Sequence, residues 1–96
     1  MIQTFINDLS IWSDNTFGKD RDFKGPLNHL KLEIEEVIES EGKISEFIDC
    51  FMLLLDSFRK VGGNEEILLQ GLKNKLDINK LRKWKKSNND IYLHIE

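Results

Sequence analysis

Hydrophobic positions recur along this chain at the three- and four-residue spacing of helices and break at polar or glycine-containing joints. Ile2, Phe5, Ile6, Leu9 and Trp12 define a first amphipathic helix, which the cluster Ser13-Asp14-Asn15 is expected to end. Thr16 to Lys24 reads as a loop, and Gly25-Pro26 opens the second helix, because proline suits a first helical turn. Leu27, Leu30, Ile34, Val37 and Ile38 form its apolar stripe, with Leu32 well off it. Gly42 breaks the pattern. A third helix, from about Ile44 to Val61, carries Ile44, Phe47, Ile48, Phe51, Met52, Leu54, Leu55 and Phe58 over most of its circumference, which predicts a central position. Gly62-Gly63 stops it, and Asn64 with Glu65-Glu66 launches a fourth helix through Ile67, Leu68, Leu72 and Leu76, continuing past Ile78 and Leu81. Ser87 to Asp90 is a polar turn, and Ile91 to Ile95 a short apolar tail readable as helix or strand. These segments predict an all-α protein of four to five helices. They form one domain over residues 1–96, with its core to about 86 and a tail over 87–96.

Composition narrows the class. The chain has 96 residues, 40% of them hydrophobic and 32% charged, with one proline, which suits an ordered helical protein with a thin core that oligomerisation would complete. The net charge of -3 favours neither nucleic acid nor anionic membrane as a partner. Cys50 is the single cysteine, so no intrachain disulfide can form, consistent with a reducing compartment. No secretory signal is visible at the N-terminus and the longest apolar run, Cys50 to Leu55, is far too short for a membrane span; a cytoplasmic location is expected.

Two acidic pairs carry the candidate chemistry. Glu33 and Glu36 lie at i,i+3 on the second helix, and Glu46 and Asp49 at i,i+3 on the third. A helical hairpin with nine residues between Glu36 and Glu46 would bring the pairs face to face. One such pair means little, since charged helices produce them by chance as a water-facing surface. Two pairs on consecutive helices are more informative, above all because Glu46 and Asp49 interrupt an apolar helix where an unpaired charge is costly. A Mg²⁺ site resolves that conflict, for which Mn²⁺ can substitute, because hard cations take carboxylate oxygens. Asp56 returns to within ~20° of Asp49 on the same strip. Glu35, Glu39 and Glu41 point elsewhere, as a solvated face. On the fourth helix Lys75, Asn79 and Arg82, at i, i+4 and i+7, share an edge suited to phosphate. His29 and His94 show no metal-ligand spacing.

The ordered series resembles a known family. Trp12-Ser-Asp-Asn-Thr-Phe17-Gly18, Gly25, His29, Leu32-Glu-Ile-Glu-Glu36-Val, Glu46-Phe-Ile-Asp49, Leu55-Asp56 and then Lys75, Asn79, Arg82 and Trp84 are similar to the MazG-like all-α nucleotide pyrophosphohydrolases, and most to their short dATP/dGTP pyrophosphohydrolase branch of bacteria and phages. The resemblance spans roughly residues 10–86. It implies a MazG-like helical bundle, a homodimer or homotetramer, that cleaves (deoxy)nucleoside triphosphates, purine dNTPs such as dATP and dGTP among them, to monophosphate and pyrophosphate. It further implies that Glu33, Glu36, Glu46 and Asp49 bind Mg²⁺, with Glu36 a candidate to orient or deprotonate the attacking water. Lys75, Asn79 and Arg82 would contact the phosphates, Trp12 and Phe17 would help form the base pocket, and Asp56 would stand beside the substrate. The chain departs from the family pattern at Leu32, where a further glutamate is common, at Asn28, where aspartate is expected, and at Arg21, one position early for a loop arginine. A reading of a different class is a non-enzymatic helical dimerisation or interaction module with an acidic surface, which would release no pyrophosphate and ignore Mg²⁺. Nucleic-acid binding through Lys80 to Lys86 is disfavoured by the acidic total.

Overall fold

A computed structural model describes residues 1–95. Four helices occur in chain order: α1 (Ile2–Phe17), α2 (Lys24–Glu39), α3 (Ile44–Lys60) and α4 (Glu65–Leu81). Two three-residue strands follow, β1 (Trp84–Lys86) and β2 (Tyr92–His94). The residues fall into two compact units, 1–65 and 66–96. Among the described residues no helix is long and apolar enough to cross a membrane.

In the first unit α2 and α3 form the main packing pair and α1 lies against α3. The α2–α3 turn explains itself chemically. Glu41 and Gly42 both take positive φ (57° and 91°), the Gly42 amide donates to the Val37 carbonyl at 3.0 Å, and the Ser40 hydroxyl accepts from the Lys43 amide at 3.1 Å. Glycine is favoured at 42 because a side chain there would strain the left-handed backbone. α1 outruns its expected end by about a turn. Ser13 and Asp14 do not cap it but point across to α3, where the Ser13 hydroxyl donates to Asp56 and Asp14 accepts from Arg59. Gly18, at φ 97°, ends the helix instead. The Ser57 hydroxyl donates 2.7 Å to the Phe23 carbonyl and fixes the start of α2, and Gln3 and Glu65 exchange two 2.8 Å hydrogen bonds, each amide donating to the other's side chain.

The apolar core is thin. Ile6 and Leu9 are buried to 3% and 5% exposure, together with Pro26. On α3 the expectation of a helix covered all round fails in the single chain: Phe47, Ile48, Phe51 and Leu54 stay exposed, Phe51 to 60%. Their exposure removes the burial cost that the sequence seemed to impose on Glu46 and Asp49, the first half-buried and the second exposed.

In the second unit α4 has no buried residue. The open choice for the tail resolves as strand: β2 folds back antiparallel on β1, pairing Trp84 with His94, Lys85 with Leu93 and Lys86 with Tyr92. The Ser87-Asn-Asn-Asp90 segment makes this turn because Asn89 and Asp90 tolerate positive φ (56° and 58°).

Candidate active site

Along α3, residues 49, 52, 53 and 56 look into a cleft of about 300 Å³. α1 supplies Leu9, Trp12 and Phe17, the loop after it Arg21, and α2 His29 and Glu33. One end is acidic. Glu33, Glu46 and Asp49 each offer a carboxylate oxygen, and the three oxygens lie within 4.8 Å of one another. Helical spacing places Glu46 and Asp49 on one face of α3, and the tight α2–α3 turn brings Glu33 opposite.

Glu36 stands one turn along α2 from Glu33. Its carboxyl hydrogen-bonds with that of Glu33, and this contact and the like charge hold the Glu36 pKa above the ordinary glutamate range. Burial pushes the Cys50 thiol up, and the charges of Glu33, Asp49, Glu46 and Glu36 add to it. One half-buried atom group therefore feels all four acids, a sign that they form a single negative focus. Burial first, and this field with it, favour the protonated form of the Cys50 thiol. His29 also belongs here, its Nε2 lying 3.2 Å from Glu33 Oε1. Metal-ligand spacing gave His29 no role, although it stands in the series that carries the family resemblance; its i,i+4 relation to Glu33 was the available signal.

The opposite end is aromatic and internally neutralised. Trp12 and Phe17 meet edge to face at 5.3 Å, and the Arg21 guanidinium lies 4.9 Å from the Phe17 ring centre. Asp56, 4% exposed, is held from several sides: Ser13 donates to Oδ2 at 2.8 Å, Arg59 donates to Oδ1 through Nε and Nη2 at 2.9 and 2.8 Å, and Arg21 Nη1 stands 3.5 Å from Oδ2. Arg59 also donates to Ser10 and Asp14, at 2.8 and 2.9 Å. Burial opposes the Arg59 charge, but its bonds to Asp14 and Asp56 outweigh that and raise its pKa further above the usual arginine range. The hydrogen bond from Arg59 pulls the Asp14 pKa below the usual carboxylate range, against partial desolvation. Ser13 and Arg59 were given no role by spacing, and Arg21 was noted only as one position early for the family's loop arginine, because their roles depend on contacts more than thirty residues apart in the chain.

The structure thus brings Glu33, Glu46, Asp49, Glu36, Trp12, Phe17 and Asp56 to one cleft or its rim. Lys75, Asn79 and Arg82 belong to the second unit. There Arg82 Nη1 lies 3.4 Å from Asn79 Oδ1, and the Trp84 indole donates to the Asn79 carbonyl at 3.0 Å.

A predominantly helical chain with a carboxylate focus at one end of an aromatic cleft has the architecture of a MazG-like nucleotide pyrophosphohydrolase. Comparison with known proteins makes the class specific. Residues 5–95 match the dATP/dGTP pyrophosphohydrolase family, and the chain belongs to that family. A solved structure of a cyanophage S-2L MazG-like pyrophosphohydrolase, bound to dGDP and three catalytic Mn²⁺ ions per active site, superposes with a TM-score of 0.82. The two sequences are 26% identical, and the match covers 100% of this chain and 98% of that one. Comparison with curated proteins returns no match. The protein is a nucleotide pyrophosphohydrolase, an enzyme acting on acid anhydrides.

Proposed function

We propose that the enzyme hydrolyses purine deoxynucleoside triphosphates such as dATP and dGTP to monophosphate and pyrophosphate, using Mg²⁺, or Mn²⁺ in its place. The observation that carries this reading is the set of three carboxylate oxygens within 4.8 Å of one another at the end of a cleft also lined by Trp12, Phe17 and Met52. An all-oxygen donor set without thiolate suits hard divalent cations, and Glu33, Glu36, Glu46 and Asp49 would hold them. Bound there, such cations would neutralise the triphosphate and make water a better nucleophile at neutral pH.

The chain's own residues do the rest. Water attacks the α-phosphorus in line, its new oxygen–phosphorus bond forming as the bridge to the β-phosphate breaks and pyrophosphate leaves. Glu36, one turn along α2 from Glu33, takes the proton in this reading. His29 steadies Glu33, and the aromatic end receives the base. Lys75, Asn79 and Arg82, along one edge of α4, offer cationic and amide donors of the kind that bind phosphate oxygens. The exposed apolar groove of Leu30, Ile34, Phe47, Cys50, Phe51 and Leu54 favours a homodimer or homotetramer, since so much open apolar surface is unusual for a monomer. The cytoplasm, where dNTPs are found, is the matching location.

The test is to incubate the protein with each common NTP and dNTP plus Mg²⁺ and resolve the products. Monophosphate with pyrophosphate is expected, most from purine dNTPs; diphosphate with orthophosphate would contradict the reaction.

A further inference from the structure

We propose that Arg21 reads the base of the substrate and makes the enzyme favour guanine over adenine. The assignment rests on the purine dNTP reading above and adds the residue that sets its specificity. Arg21 lines the cleft at the end away from the acid cluster, beside Trp12, Phe17 and Asp56. Asp56 lies seven residues beyond Asp49 on α3, a rise of about 10 Å, which leaves room for a nucleoside between phosphates at the acids and a base edge at Arg21.

Its side chain is placed but not used up. The guanidinium stands 4.9 Å from the Phe17 ring centre, and its one contact with a carboxylate is the long 3.5 Å approach of Nη1 to Asp56 Oδ2. That carboxylate is already engaged by Ser13 and Arg59, so it orients Arg21 without saturating it. Among the described residues Nε and Nη2 of Arg21 meet no hydrogen-bond acceptor, although the side chain is only 25% exposed. Gly25 makes the pose possible, since a Cβ there would stand 2.9 Å from Arg21 Nε.

A planar fork of donors fits the two acceptors of guanine, O6 and N7; adenine offers N7 but presents a donor in place of O6. A phosphate-binding role suits the surroundings less well, because the neighbouring walls are the aromatic rings of Trp12 and Phe17.

The test compares kcat/KM for dGTP, dITP, dATP and 7-deaza-dGTP in the wild type, Arg21→Gln, Arg21→Lys and Gly25→Ala, with the melting temperature of each. The wild type is expected to prefer dGTP and dITP, which share O6 and N7, and to process 7-deaza-dGTP more slowly. Arg21→Gln should lower kcat/KM about tenfold for dGTP and dITP and less than threefold for dATP, with little change in melting temperature, since Asp56 keeps its other donors. Arg21→Lys should fail to restore the preference, and Gly25→Ala should erode it without removing the charge. Equal losses on all four nucleotides, recovery with lysine, or an unchanged dGTP-to-dATP ratio would overturn the assignment while leaving the pyrophosphohydrolase reading intact. A wild type that releases no pyrophosphate from any purine dNTP would overturn both.

Discussion

The two ends of the cleft treat negative charge in opposite ways. At the Asp56 end the carboxylates are answered: buried Asp56 meets Arg59, Ser13 and Arg21, and Arg59 in turn reaches Asp14 and Ser10. At the Glu33 end three acids converge, the ion pairs there among the described residues include no Lys or Arg but His29 alone, and the pKa of Glu36 rises under the pressure of Glu33. Paired charge holds α1 to α3, whereas unpaired charge is stability given up in the free chain that a ligand can return. The contrast separates the residues that build the cleft from those that work in it.

The largest effect should come from breaking the paired end. Arg59→Met leaves Asp56 buried without its main partner, at a cost of about 3–5 kcal/mol. For a domain of this size that is a fall in melting temperature on the order of 15 °C or more, measurable by calorimetry. An unchanged melting temperature would remove the structural half of the comparison.

The opposite substitution belongs at the acid end. Glu46→Gln or Asp49→Asn should keep or slightly raise the metal-free melting temperature, because it relieves repulsion, while lowering Mg²⁺-dependent pyrophosphate release at least about 100-fold. A variant that loses fold and activity together would show that these acids are structural after all.

How much of this was legible in the sequence depended on range. The helices follow from local periodicity, and the acidic pairs could be placed face to face because one short turn separates them. The end of α1 was misjudged because Ser13 and Asp14 look like terminators locally, and only their partners on α3, more than forty residues away, keep them helical. The same distance hid Arg59, and left Arg21 visible only as a departure from the family's loop arginine. Apolar coverage of α3 predicted a buried helix, but in the single chain much of that surface is open, so the acids gather for a reason other than burial cost. The C-terminal hairpin could not be chosen over a helix because five apolar residues fit either.

Two smaller effects sharpen the contrast through pH. Asp14 has its folded pKa depressed below 3.8, so its contribution is present above the unfolded value and is lost as pH falls through the folded one. Asp14→Asn should therefore flatten the loss of stability below about pH 4. Glu36 has its folded pKa raised above 4.5, so its contribution has the reverse sign: present at lower pH, lost as pH rises through the folded value. Glu36→Gln should remove that second decline in the metal-free protein, and thermal unfolding across pH 3–7 reads both slopes.

The most direct test of the central claim is whether the unpaired acids take up divalent cations. Titrating Mn²⁺ into the metal-free protein, followed by electron paramagnetic resonance of the free ion, should show binding by the wild type and by Asp14→Asn. That binding should be lost or weakened at least about tenfold in Glu46→Gln and Asp49→Asn. Equal uptake by all four proteins would contradict the account, since the cation would then sit somewhere other than the Glu33, Glu46 and Asp49 cluster.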